Sequence, residues 1–195
     1  FLPVRLFGMV SGRTASRVSA DERRAQAVAA GFHAFAELGI TTAAVQAIAD
    51  AIGVSQPYVF RLFGSRQKLV LACLDELEDR IRAVFELSVV AAPQDALAAM
   101  GAGLRALLAD GVIAGFWLQA ASASARADEV MAERCRVLIA HLLADGERLT
   151  GAGSEELAKA FGRGSAVVLL QALGVDLSRG SLAAIRHLLD EGRRQ

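Results

Sequence analysis

The run Ile48-Ala49-Asp50-Ala51-Ile52-Gly53-Val54-Ser55-Gln56-Pro57-Tyr58-Val59-Phe60-Arg61-Leu62-Phe63-Gly64-Ser65-Arg66 decides the fold. Ala49 is small enough for a second helix to cross close above it, and Gly53 accepts the positive φ of a tight turn. Val54, Val59 and Leu62 then anchor the crossing helix in the core. This is the residue pattern of a helix-turn-helix. Ser55 suits an N-cap, and Pro57 falls in the first turn, where its missing amide hydrogen costs little. A short helix is predicted from about Gln56 to Leu62. With Val59, Leu62 and Phe63 facing inward at i, i+3 and i+4, Pro57, Tyr58 and Arg61 point outward and Gln56 lies at the exposed end.

Those outward types suit a DNA groove. Gln pairs bidentately with adenine, Arg with guanine or phosphate, and the Tyr58 ring packs on a thymine methyl or sends its hydroxyl to a phosphate. Taken singly, each is also ordinary protein surface. Gly64-Ser65 then breaks the chain, and Ser65 caps a long helix opening Arg66-Gln67-Lys68. The first amides of that helix and its two cations make a phosphate clamp, with solvated first-turn charges as the plainer reading.

Upstream, Ser19-Ala20-Asp21-Glu22 reads as a capping box that starts a helix. Val28, Phe32 and Phe35 form its apolar stripe until Gly39 ends it. Thr41 and Thr42 cap a second, short helix that turns Val45, Ile48, Ala49 and Ile52 inward. Residues 1–18 show no sustained period, and a flexible arm is expected there. Met9 is an alternative start, residues 1–8 then being an upstream extension, and Arg13 and Arg17 lie within reach of phosphates.

Residues 23 to 77 resemble the DNA-binding domain of the tetracycline-repressor (TetR) family. The resemblance rests on Leu38-Gly39 closing an amphipathic helix, Ile48-Ala49-x-x-Ile52-Gly53-Val54-Ser55, the run from Tyr58 to Arg66, and Leu69. It implies that Gln46, Tyr58, Arg61 and Arg66 occupy positions that commonly touch DNA, and that Gln56 and Pro57 lie against bases. Thr42 and Ser55, at helix starts, complete the expected DNA-facing set. Three departures stand out. Phe60 replaces a usual Tyr and loses a phosphate-binding hydroxyl, Arg66 replaces a usual Lys and keeps the charge, and Ala43-Ala44 stand where a Thr pair usually opens the second helix.

Beyond residue 70 the resemblance is weak, and the periods speak for themselves. They predict helices from Arg66 to about Val90, Pro93 to Ala109, Gly111 to Ala125, Ala127 to Leu149, Ser154 to Leu173 and Ser178 to Leu189. With the first three, this is an all-α chain of about nine helices. Three segments are expected: an arm at 1–18, a three-helix helix-turn-helix domain at 19–65, and a helical effector-binding and dimerisation domain at 66–195. Phe161, Ser165, Val168, Leu169 and Ala172 share one helix face, and Leu182, Ile185 and Leu189 stripe the last helix. In the family such helices pair two subunits in a four-helix bundle, and an intramolecular core face is the alternative. Gly162 and Gly164, costing about 1 kcal/mol each against Ala in a helix, are expected where two backbones approach closely. The family also implies a small-molecule pocket, for which Phe85, Met100, Phe116, Trp117, Met131 and His141 are the expected lining, suited to an apolar effector.

Composition sets the outer limits. The chain has 195 residues, 21 Lys+Arg against 21 Asp+Glu, and 54% hydrophobic residues. The longest uncharged stretch, Gly111 to Ala125, is too short to cross a bilayer. Two cysteines without a disulfide pattern favour a cytoplasmic setting. Residues 1–70 carry 8 Lys+Arg against 4 Asp+Glu, and the remainder 13 against 17. This basic head on an acidic body is one footprint of a polyanion binder. His33, His141 and His187 complete no metal set, and neither a phosphate loop nor a nucleophile elbow occurs. Adjacent acids such as Asp75-Glu76 and Glu155-Glu156 read as solvated helix faces. No catalytic residue, cofactor or metal is expected. The leading expectation is a homodimeric, non-enzymatic regulator, a repressor freed from a palindromic DNA operator by a small effector. A helical scaffold or interaction protein, or a transcriptional activator, is the alternative.

Overall fold

The computed structural model describes residues 19–125 and 128–175. They form eight α-helices: α1 (Ala20–Leu38), α2 (Thr42–Ala51), α3 (Gln56–Phe63), α4 (Arg66–Ala91), α5 (Ala96–Leu107), α6 (Val112–Ala125), α7 (Glu129–Thr150) and α8 (Ser154–Ala172). No strand occurs among the described residues, so the all-α expectation holds. The predicted arm at 1–18 and the ninth helix from Ser178 to Leu189, with Leu182, Ile185 and Leu189, lie outside the described residues.

Local signals set the first three helices. The Glu22 amide donates to Ser19 Oγ at 3.1 Å and the Ser19 amide to Glu22 Oε2 at 2.7 Å, so both halves of the capping box form. The hydroxyl of Thr41 accepts from the Ala44 amide at 3.2 Å, which makes Thr41 the cap of α2 and Thr42 its first residue. Gly53 and Gly64 take φ of +66° and +83°, conformations a side chain would strain, and the Val54 amide closes the intervening turn on the Ala49 carbonyl at 2.9 Å. Phe35, Val45, Ile48, Ala49 and Val59 are almost wholly buried. Each large apolar side chain so placed contributes roughly 1.5–3 kcal/mol.

One joint ties this head to the body, and a second holds two long helices of the body together. One is apolar: α6 lies across α1, with the Phe116 ring edge-on to Phe32 at 5.2 Å and tilted against Phe35 at 6.3 Å. The helices can approach because position 115 is glycine; a Cβ there would come within 3.2 Å of Ala36 Cβ. The other joint is polar and runs between α4 and α7, which lie parallel. Gln67 bonds Asp128, Asp75 and Glu78 hold Arg134, Glu78 also meets His141, and Arg82 reaches Asp145.

Two expectations need correction, and a third is not met within the subunit. Pro93 opens a single 3-10 turn, Pro93–Asp95, and α5 starts only at Ala96. Gly162 and Gly164 do not mark a close approach within the subunit: nothing lies within 4 Å of a Cβ at Gly162, and Gly164 meets only Leu104 Cδ2 at 3.6 Å. Besides Gly115, tight crossings are at Gly31, against Cys73, at Gly103, against Val84 and Ser88, and at Gly146, against Leu157. Asp75 and Glu76 are not merely solvated either, since Asp75 binds Arg134 at 2.8 Å and Glu76 binds Arg80 at 2.7 Å.

Candidate nucleic-acid interface

The N-termini of α2, α3 and α4 come together on one surface. Gln56 Nε2 donates to the Thr42 carbonyl at 3.0 Å, and Arg66 Nη1 donates to Thr42 Oγ1 at 3.3 Å. Residues from three helix starts are thereby linked around Thr42. Unsatisfied amides and helix dipoles give such ends a positive potential. Ser55 stands at the N-cap position of α3 with extended backbone, but its hydroxyl makes no capping bond and stays exposed. Ser65 does cap α4, accepting from the Lys68 amide at 3.1 Å.

All eight expected DNA-facing residues lie on these three helices and their caps. Thr42, Gln46, Ser55, Pro57, Arg61 and Arg66 are exposed, while Gln56 and Tyr58 are half-buried. Arg61 lies over the Tyr58 ring at 5.4 Å, and Gln46 Nε2 is turned to Asp50 Oδ1 at 2.7 Å. Among the described residues, Arg61, Arg66 and Lys68 have no carboxylate partner. Their charge is thus available to an outside anion. Phe60, by contrast, packs partly against the core.

Two residues that hold this surface escaped the sequence reading. Arg23 Nη1 donates to the Ile52 carbonyl at 2.7 Å, and Arg24 donates to the Leu62 carbonyl while its guanidinium covers the Phe63 ring at 4.4 Å. Each places a cation at the carbonyl end of a helix, α2 and α3 respectively, where the dipole favours it. Their place in the first turn of α1 gave no hint, because the partners lie 29 and 38 residues away.

The scan of family models matches residues 27–73 to the bacterial regulatory proteins of the tetR family. The N-terminal domain is a TetR-family domain. The HTH-type transcriptional activator FasR of Mycolicibacterium smegmatis is 36% identical over 69 residues, 35% of this chain and 32% of that protein. The match therefore spans about a third of that relative's length. The crystal structure of a TetR-family transcriptional regulator from Rhodococcus sp. is similar over 88% of this chain and 96% of that one, with a TM-score of 0.62 at 21% identity. That likeness extends the TetR fold from the head through the body.

In the body, five of the six expected effector-lining residues belong to the hydrophobic core. Phe85, Met100, Phe116 and Met131 are buried and Trp117 is half-buried. Phe116 is engaged in the α1–α6 joint, and His141 is exposed, its Nδ1 2.7 Å from Glu78 Oε1. Burial alone would raise the pKa of Glu78, but hydrogen bonds from His141 and Arg134 and the charges of Arg134 and Arg82 hold it below the ordinary carboxylate value. Asp145 is likewise held down, against burial, by Arg148 and Arg82. Burial pushes the Cys73 thiol up to about 12, which keeps it protonated.

The expected pairing face of α8 is partly open. Phe161 and Leu169 are 44% and 51% exposed, Ser165 is exposed beside them, and Val168 and Ala172 are half-buried. An open groove of about 450 Å³ between α7 and α8 is lined by Leu143, Leu157 and Phe161, among others. No single helix among the described residues is long and apolar enough to cross a membrane, and no metal-binding group of His, Cys, Asp and Glu occurs among them.

Proposed function

We propose that the chain is a homodimeric, DNA-binding transcriptional regulator that grips a palindromic operator through Thr42, Gln46, Ser55, Gln56, Pro57, Tyr58, Arg61 and Arg66. The observation that carries this reading is the exposed surface where three helix N-termini meet cations without a carboxylate partner among the described residues. A second subunit would supply a recognition helix one helical turn of DNA away, about 34 Å, and the open stripe Phe161-Ser165-Leu169 on α8 supports pairing there. A small apolar effector in the body, near Phe85, Met100, Trp117 and Met131, shifts the dimer toward a form with misplaced recognition helices and releases the operator. His141, spent on Glu78, drops out of that lining. The chain then acts as a repressor in the cytoplasm, without catalysis or cofactor.

Activation is the second reading, favoured because the matched relative FasR is named as an activator. A promoter reporter with and without the chain separates the two by the sign of the change. For DNA binding itself, duplexes are selected from a randomised pool with the full chain, and affinity is measured at two salt concentrations. Counterion release predicts a steep loss as salt rises. Failure to enrich any duplex, or an affinity indifferent to salt, contradicts the reading. Sedimentation of the same samples tests the dimer.

A further inference from the structure

The first turn of α4 carries two cations of the candidate interface, Arg66 and Lys68, and between them Gln67 is half-buried against α7. Successive helical residues project about 100° apart, so Gln67 faces the body while its neighbours face outward. Its Nε2 lies 2.9 Å from Asp128 Oδ1 and 3.2 Å from Oδ2. The same carboxylate is pinned by α7 itself, because Oδ1 accepts the Met131 amide at 3.1 Å as the helix cap. An amide donor on an ionised, prefixed acceptor is a strong hydrogen bond with one geometry.

The geometry points to Gln67 and Asp128 as positioning residues for DNA binding: their pair fixes the first turn of α4, and with it Arg66 and Lys68, to the N-terminus of α7. This rests on the DNA-binding reading above. Deeper rungs, from Asp75–Arg134 to Arg82–Asp145, hold the shafts of the two helices together. Among the described residues, the Gln67–Asp128 rung is the one at the end that meets DNA. Asp128 is part of the body; its bonds to Gln67 link it to the first turn of α4, and its bond to the Met131 amide caps α7.

The test measures affinity for a duplex selected with the wild-type chain, using Gln67→Met, Asp128→Ser and the double variant. Ser keeps the α7 cap but is too short to hold Gln67. Each single change should weaken binding about fivefold, and the double no more than either, because the two residues act as one unit. Unchanged affinity in Gln67→Met, or losses that multiply in the double, overturns the positioning role while leaving the DNA-binding reading intact. A wild-type chain that selects no duplex overturns both. Should Asp128→Ser fail to fold, the exchange Gln67→Glu with Asp128→Asn reverses donor and acceptor at constant net charge. Recovery of wild-type affinity, after loss in Gln67→Glu alone, is the expected result, and no recovery overturns the role.

Discussion

The arginines of the α4–α7 joint and those of the helix-turn-helix surface are chemically identical and are used in opposite ways. Arg82, Arg134 and Arg148 each hold a carboxylate of their own chain, and Glu78 and Asp145 are buried to receive them. Among the described residues, Arg61 and Arg66 have an aromatic ring and a hydroxyl for company and no carboxylate. An internal partner makes a cation structural; its lack, on an exposed face at helix starts, leaves the charge for a ligand. Mere counts of basic residues would not separate the two groups.

Breaking the joint should give the largest effect. Arg134→Leu removes the guanidinium that lies 2.8 Å from the buried Glu78 carboxylate, and a loss of roughly 3 kcal/mol is expected in urea unfolding. Next comes the surface: Arg61→Ala and Tyr58→Ala should each weaken operator binding by about 1–3 kcal/mol, read as a rise in Kd of about five- to 150-fold. Both should leave the unfolding midpoint and the dimer in place. Dissociation into monomers, or unaltered binding, would reverse their assignment to the interface.

Acid should sharpen the same contrast. Because the folded-state pKa values of Glu78 and Asp145 are depressed, their stabilisation is complete above the unfolded values and fades as pH falls through the folded ones. Stability measured from pH 7 downward should hold until about 4.5 and then fall, and Arg134→Leu should flatten that fall. The smallest effect is at the α1 cap, where Ser19→Ala should cost about 1 kcal/mol by thermal unfolding without changing DNA affinity.

Much of the head was legible because its signals are local. The capping box spans four residues, Gly53 and Gly64 announce their own φ, and the outward set from Gln56 to Arg61 follows from helical spacing. Where the reading slipped, competing local choices were nearly equal: Thr41 and Thr42 are chemically alike, and Pro93 starts a 3-10 turn as readily as an α-helix. The body hid its polar joint altogether. Asp75 and Arg134 are 59 residues apart, and Glu78 and His141 are 63 apart, so no window of sequence shows them as partners. Gly115 was equally silent, since a helical glycine looks the same whether it faces solvent or a neighbouring backbone.

That glycine also governs how the head sits. With no side chain to act as a spacer, α6 beds directly on Ala36, and the Phe116 ring keys into Phe32 and Phe35 beside it. A side chain at 115 would press on Ala36 Cβ, so a bulky residue wedged there would shift α1 against α6, and with it the surface carrying the proposed DNA-facing residues, while altering none of them.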